Sequence, residues 1–396
     1  MLQEFERTTV LKSIDVLPVD AAEATLIARV WDPVVRAGRV AVVRGDELVD
    51  LSRDIATVSD LLDELDPVAR LRETESTRRW SLDEVLEASF AGDTERPYLL
   101  APIDLQVVKA CGVTFVDSMV ERVIEERCGG DPAAASAVRA EVAAAIGGDL
   151  ASLQPGSAAA LDAKRVLQDR GFWSQYLEVG IGPDPEVFSK APVLASVGVG
   201  AGIGVPDFSA WNNPEPELVL SVNSRGEIRG VTLGNDVNLR DVEGRSALLL
   251  GKAKDNNASS AVGPFLRLFD EHFTLESVRS EDIELRVEGV DGYVMTGVNS
   301  VARISRPFED LVDATYGEHH QYPDGFVLFT GTLFAPTADR GEPGLGFTHE
   351  YGDSVTIRSP HLGTLRNTVR RMSELPRWSV GLREFMAGQR RIAAEG

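Results

Sequence analysis

PEPELVLSVNSRGEIRGVTLGND, residues 214–236, reads as a strand, a tight turn and a returning strand. Leu218-Val219-Leu220-Ser221-Val222 is almost wholly apolar, NSRG has the residues of a hairpin turn, and EIRGVTLG resumes the extended pattern. Two glutamates two residues apart on a strand place their carboxylates on one face. The hairpin returns Gly234-Asn235-Asp236 beside them, so Glu215, Glu217 and Asp236 can reach one point. Like charges that close repel one another unless a cation lies between them. Three carboxylates with no Cys or His nearby favour a hard ion, Mg²⁺ with Mn²⁺ as the substitute. An isolated Glu-x-Glu is an ordinary solvent-facing pair. This one has company: Gly-Asn-Asp after the turn, Arg240 and Asp241 four and five residues further, and Gly251-Lys252 beyond them.

Outward from this hairpin the strand pattern continues through IELRVEGV (283–290), GYVMTGV (292–298), GFVLFTGT (325–332) and SVTIRS (354–359), with VDG (290–292) as a second turn. Upstream, LQVVKACGVTFVDS (105–118) begins as a buried strand and passes at Gly112 into a loop and a helix. Asp131 and Pro132 signal another helix, alanine-rich, ending at Gly147-Gly148. Ser81 with Glu84 is a capping-box pattern before VLEASF. AGDTERPY (91–98) combines Gly, Pro and charge as a linker does. The expectation is an α+β, mostly β protein in two parts, a small α/β N-terminal domain over 1–98 and a large strand-rich domain over 99–396.

Forty Lys and Arg against 62 Asp and Glu give a net charge of −22, which opposes binding to nucleic acid and to anionic membranes. The first thirty residues carry acids at 4, 6 and 15 and lack the apolar core of a signal peptide, and no run approaches the roughly 18 apolar residues of a membrane span. A cytoplasmic protein is expected. Cys111 and Cys128 are too few and wrongly spaced for a disulfide framework or a zinc site, and Cys111, in VVKACGVTF, reads as buried and structural. His272, His319, His320, His349 and His361 do not cluster with the carboxylates in sequence, and none is assigned to catalysis.

Over roughly residues 105–372 these motifs, in this order, resemble the fumarylacetoacetate hydrolase family. Glu215-Pro216-Glu217-Leu218 is similar to the family's E-x-E strand, and Gly234 to Asp241 to its N-D-x-x-x-R-D segment. Gly251-Lys252 resembles the G-K that follows, Phe188-Ser189-Lys190 an F-x-K, Thr330-Gly331-Thr332 the T-G-T-P loop, and Gly363 to Val369 the closing G-x-L-x-N-x-V. The resemblance implies a β-roll, a mixed-strand barrel, with a Mg²⁺ or Mn²⁺ site, a homodimer or higher homo-oligomer, and a substrate with a 2-oxo acid or 1,3-dioxo unit.

One departure is informative. Hydrolytic members carry a water-activating His where this chain has Ser118, and GNDVNLRDVEGRSALLLGKAKDNNASSAVGPF is most similar to the sugar-acid branch, the 2-keto-3-deoxypentonate dehydratases. That similarity implies loss of water from a small 2-oxo sugar acid to give 2,5-dioxopentanoate. By the same resemblance Lys252 and Lys190 are the cationic catalytic candidates. Glu243, where many relatives have Gln, is the candidate base for the C3 proton. Arg240 would brace the aspartate loop, and Gly331, Thr332 and Ser118 would face substrate. A C–C hydrolase of acylpyruvate or fumarylacetoacetate type would use the same metal site but needs a base for water. A catalytically silent binding protein would show damaged metal ligands, and all three are intact.

Overall fold

The computed structural model describes residues 10–129, 131–135, 137–138, 153–171, 173–333, 336, 338–340 and 346–395. Its strands are β1 (Leu26–Asp32), β2 (Ala37–Arg44), β3 (Glu47–Asp50), β4 (Arg79–Ser81), β5 (Tyr98–Leu100) and β6 (Val107–Gly112). There follow β7 (Glu186–Ala191), β8 (Gly202–Val205), β9 (Asn212–Asn213), β10 (Pro216–Val222), β11 (Ile228–Asp236) and β12 (Asn238–Leu239). The last six are β13 (Ser260–Leu268), β14 (Asp282–Glu288), β15 (Val294–Ser300), β16 (Phe326–Phe329), β17 (Ser354–Ser359) and β18 (Gly363–Arg371).

Eleven strands form one sheet in the order β4-β3-β2-β1-β13-β11-β10-β16-β6-β7, with β5 also on β1. Five form a second, β15-β14-β17-β18-β8, and β9 and β12 make a short ribbon. Pairing is antiparallel except for β16 on β6 and β18 on β8. The expected hairpins are present: β10 pairs with β11 through the NSRG turn, where Gly226 takes φ 80, and β14 pairs with β15 through VDG, where Gly292 takes φ 85. Among the described residues the large sheet does not close on itself. Among those residues a large sheet faces a smaller one, and the closed barrel that the resemblance implies is not found.

The two sheets share one core. β10 is buried along its whole length, as its near-continuous apolar run requires, and its Leu218 and Leu220 belong to one cluster with Leu285, Ile357 and Leu365 of the smaller sheet. β14 alternates exposed and buried, the pattern of a strand with one wet face. The boundary expected near residue 98 does not interrupt the sheet: β1 pairs with β13 in the register Ile27↔Leu266. Ile27, Val40 and Val49 pack with Leu266 and Leu268 in a core that the first hundred residues share with β13. Upstream, Ser81 caps the helix Leu82–Ala91 by accepting from the Glu84 N–H, and Gly92 ends it at φ 65. Asp131 accepts from the Ala133 N–H at the start of a short 3₁₀ turn, and the alanine-rich segment after it falls largely outside the described residues.

Candidate metal centre

The hairpin register brings the acidic residues together. Glu217 stands opposite Gly234, the Asp236 N–H donates to the Glu215 carbonyl at 3.0 Å, and the Asn235 side chain accepts from the Glu215 N–H at 3.0 Å. Glu215, Glu217 and Asp236 are each 1–2% exposed, and one oxygen from each lies within 4.8 Å of the others. The three expected ligands therefore converge.

Their partners arrive from four other elements. Lys190, on β7, places Nζ 2.8 Å from Asp236 Oδ1. Lys254, at the end of the helix Leu250–Lys254, lies 3.0 Å from Asp236 Oδ2 and also pairs with Glu215. Arg122, on the helix Val116–Arg127, pairs with Glu215, with Glu125 at 2.5 Å and with Glu243 at 2.9 Å. Arg240 Nε is 3.0 Å from Glu125. Glu217 pairs with none of these cations; it accepts the Gly331 N–H at 2.7 Å. Gly331 holds φ 97, and a side chain there would collide with Thr114.

Electrostatics follow the geometry. Burial, then repulsion from Asp236 and Glu215, pushes the Glu217 carboxyl well above its ordinary range. Burial would raise Asp236 too, but Lys190 and Lys254 outweigh it and hold it below the usual carboxylate value. Lys254 is raised despite its burial, by Asp236 and Glu215, and so stays protonated. Glu186, at the start of β7, is pushed up to about 7 by burial and by Glu243, over the opposing pull of Arg122 and Lys254.

Six carboxylates (Glu125, Glu186, Glu215, Glu217, Asp236 and Glu243) face four cations (Arg122, Lys190, Arg240 and Lys254), which leaves a formal charge of −2. Between them lies a cavity of about 10 Å³, the size of one small guest. An excess of two negative charges, oxygen donors only, and space for a single ion fit a hard divalent cation held by Glu215, Glu217 and Asp236.

Other expected residues fall differently. Lys252 is exposed, its ammonium 4.6 Å above the Phe208 ring, and it does not line the cavity; Lys254 takes the place beside the carboxylates. Two residues along a helix differ by roughly 200° in direction, so one of the two lysines faces in and the other out. Lys190 is fully buried, with its ammonium also bonded to the Lys254 carbonyl and, at 3.2 Å, to the Ser259 hydroxyl, so it braces Asp236 and does not line the cavity. Glu243 lines the cavity, paired with Arg122. Arg240 lies off it, over the Trp211 ring at 5.4 Å, and Gly331 gives its N–H to Glu217. Thr332 and Ser118 line the cavity, the Ser118 hydroxyl donating to the Phe115 carbonyl at 2.8 Å. Cys111 lines it as well, with burial pushing its thiol upward and keeping it protonated. His349 is buried and neutral, pushed down to about 3 by burial and two arginines, and bonds to Asn212. Arg122, Glu125, Glu186 and Lys254 carried no sequence signal of their own. Only the doubled lysine in GKAK hinted at the last.

Residues 178–370 match the family model described as fumarylacetoacetate (FAA) hydrolase C-terminal. The chain is 32% identical over 194 residues to a probable 2-keto-3-deoxyxylonate dehydratase of Haloferax volcanii, covering 49% of this chain and 63% of that one. It is 31% identical over 191 residues to 2-dehydro-3-deoxy-D-arabinonate dehydratase of Saccharolobus solfataricus, covering 48% and 60%. Less than two thirds of either relative's length is thus matched. In fold it is similar to a 2-keto-3-deoxy-D-arabinonate dehydratase complexed with magnesium and 2,5-dioxopentanoate, with TM-score 0.59, 21% identity, and 87% of this chain and 99% of that one covered. Residues 178–370, which carry the glutamate strand, the aspartate loop and the Gly331 turn, are the part of the chain that is similar to the fumarylacetoacetate hydrolase family.

Proposed function

We propose that the chain is a Mg²⁺-dependent hydro-lyase that converts a 2-keto-3-deoxypentonate, such as 2-keto-3-deoxy-D-xylonate, to 2,5-dioxopentanoate. The observation that carries this reading is the buried carboxylate trio, at the centre of a cluster with two more acids than cations and beside a glutamate poised near neutrality. A divalent cation held there supplies a Lewis acid for the 2-oxo acid end and makes the C3–H bond more acidic. The names of the Haloferax and Saccharolobus relatives support the substrate class.

The chain's own residues divide the remaining work. Glu186, held near 7, takes the C3 proton and can return it, as a group matched to neutral pH should. The Lys254 ammonium, protonated throughout, stabilises negative charge that develops on the C2 oxygen. Lys190 and Arg122 position Asp236, Glu215 and Glu243. The C4 hydroxyl leaves as water with the proton taken from C3, and transfer of a C5–H proton to C3 and of the C5 hydroxyl proton to C4 completes the dioxo product. Thr332 faces the substrate carboxylate. With Ser118 where a hydrolase would carry its base, no group is assigned to activating water for C–C cleavage. A homo-oligomer working in the cytoplasm on a small 2-oxo sugar acid completes the reading.

Incubating the purified protein with Mg²⁺ and a panel of 2-keto-3-deoxypentonates, alongside an acylpyruvate, tests it by product mass. Loss of water with the carbon skeleton intact is the expected result. Silence on the whole sugar-acid panel with cleavage of the acylpyruvate would replace the dehydratase with a C–C hydrolase.

A further inference from the structure

A second cavity, of about 70 Å³, lies where β1, β2 and β5 meet the C-terminal helix Leu382–Ala393. One water needs roughly 10–15 Å³ on this measure, so the space suits a compact guest of about five non-hydrogen atoms. Its polar lining is Arg29, Arg36, Tyr98, Ser196 and Glu384. The Glu384 carboxylate is already paired with Arg391 at 2.7 Å, and the Ser196 hydroxyl with Ser260 at 2.9 Å. Among the described residues the two cavity arginines have no carboxylate partner as close.

Arg29 is 5% exposed, yet its nearest carboxylate, Asp104, is 3.8 Å away. That carboxylate is itself occupied by the N–H groups of Val58 at 2.7 Å, Ser59 at 3.2 Å and Leu105 at 2.7 Å. Arg29 Nη1 donates to the carbonyls of Ala101 and Ile103, while Nη2 has no acceptor among the described residues. Nη2 points to Gly38 in the cavity wall: a Cβ there would sit 2.8 Å from it. A buried guanidinium with a donor left over favours an anion that completes its shell. Burial pulls the Arg29 pKa down with Asp104 only partly opposing it. Arg36 stands exposed at φ 53 on the β1–β2 turn, a second arginine among the residues that line the same space.

We propose that this cavity binds one compact oxyanion, a phosphate or a small carboxylate, between Arg29 Nη2 and the Arg36 guanidinium, with Trp31 as part of its wall. The planar fork of arginine matches either anion. The chain's charge of −22 gives such an anion no general attraction, so saturable binding must come from a local site.

Calorimetric titration of the full chain with inorganic phosphate, and separately with acetate, tests the proposal, with the part of the tryptophan fluorescence change that Trp31→Phe removes as a second readout. One saturable site is expected for at least one of the two anions, and which one binds identifies the class. Arg36→Ala, an exposed change that leaves the fold intact, should weaken binding at least tenfold. Arg29→Gln should abolish it, with circular dichroism to verify folding. Glu217→Gln, which disables the carboxylate centre, should bind the anion as the unaltered chain does. Absence of a saturable heat with both anions, or equal binding by Arg36→Ala, overturns the proposal. So does loss of binding in Glu217→Gln, which would assign the signal to the other centre.

Discussion

Two buried charge clusters sit in the same large sheet and are built on opposite terms. Around Arg39 every carboxylate touches both of two shared cations: Asp32 at 2.8 Å, Asp50 at 2.9 Å and Glu395 all pair with the fully buried guanidinium, and Arg78 contacts the same three acids. These contacts raise the Arg39 pKa despite burial, and the cluster ties β1, β2 and β3 to the C-terminal end of the described chain. Around Glu215, Glu217 and Asp236 the cations run short, and Glu217 is left with a backbone N–H. A charge knot in which each group is answered holds elements together. One left two positive charges short is arranged to receive something.

The contrast can be broken most directly at the carboxylates. Glu217→Gln or Asp236→Asn should lower Mg²⁺ affinity and turnover by more than ~100-fold; in the metal-free protein Glu217→Gln keeps or gains stability because a repulsion is removed, whereas Asp236→Asn loses it by stranding Lys190 and Lys254. Calorimetry with Mg²⁺ and thermal melts without it read both effects, and a loss of stability in Glu217→Gln would make that centre structural after all. Next in size, Arg39→Met should cost about 3–5 kcal/mol by stranding Asp32 and Asp50, read by urea denaturation, with unchanged turnover per folded molecule. An Arg39→Met protein with full stability but impaired catalysis would erase the distinction between the clusters.

The lysine pair sharpens it further. Lys254→Met should reduce turnover by roughly 10- to 100-fold, whereas Lys252→Met removes an exposed contact with Phe208 worth no more than about 1 kcal/mol and should leave turnover within about twofold. Equal effects would mean that the helix turns the other way when the protein works. The smallest effect is in pH. With its folded-state pKa raised to about 7 from an ordinary 4.5, Glu186 keeps its proton in the folded protein longer than in the unfolded one. Stability of the metal-free protein should therefore fall, from this group, as pH rises from about 4.5 to 7. Turnover, which needs its ionised form, should climb over a limb that Glu186→Gln removes and that bound Mg²⁺ shifts to lower pH. A limb that survives Glu186→Gln assigns the proton to another residue.

What the sequence disclosed was local. Strand periodicity, the NSRG and VDG turns and the Glu-x-Glu spacing each depend on residues a few positions apart, so the hairpin of β10 and β11 and the convergence of three acids could be read directly. Helix phase could not be, because Leu250–Lys254 is one short turn with a lysine on either side, and Lys252 was favoured where Lys254 faces in. Arg122 and Glu186 reach the centre from positions outside the quoted motifs, Arg122 on the helix Val116–Arg127 and Glu186 two residues before Phe188-Ser189-Lys190 on β7. The open sheet, and the absorption of the first hundred residues into it, depend on β1 meeting β13 across more than two hundred residues, a pairing no local pattern encodes.

That last pairing sets a timetable. β13 cannot find β1, nor β16 lie parallel to β6, until most of the chain has been made, and contacts so distant in sequence form slowly. The hairpin bearing the acids can close early, but β11 and β10 each wait for the far neighbour that completes their flank, β13 and β16. Newly synthesised protein should therefore spend its longest interval with Leu220 and Leu233 uncovered, when the help of a chaperone matters most.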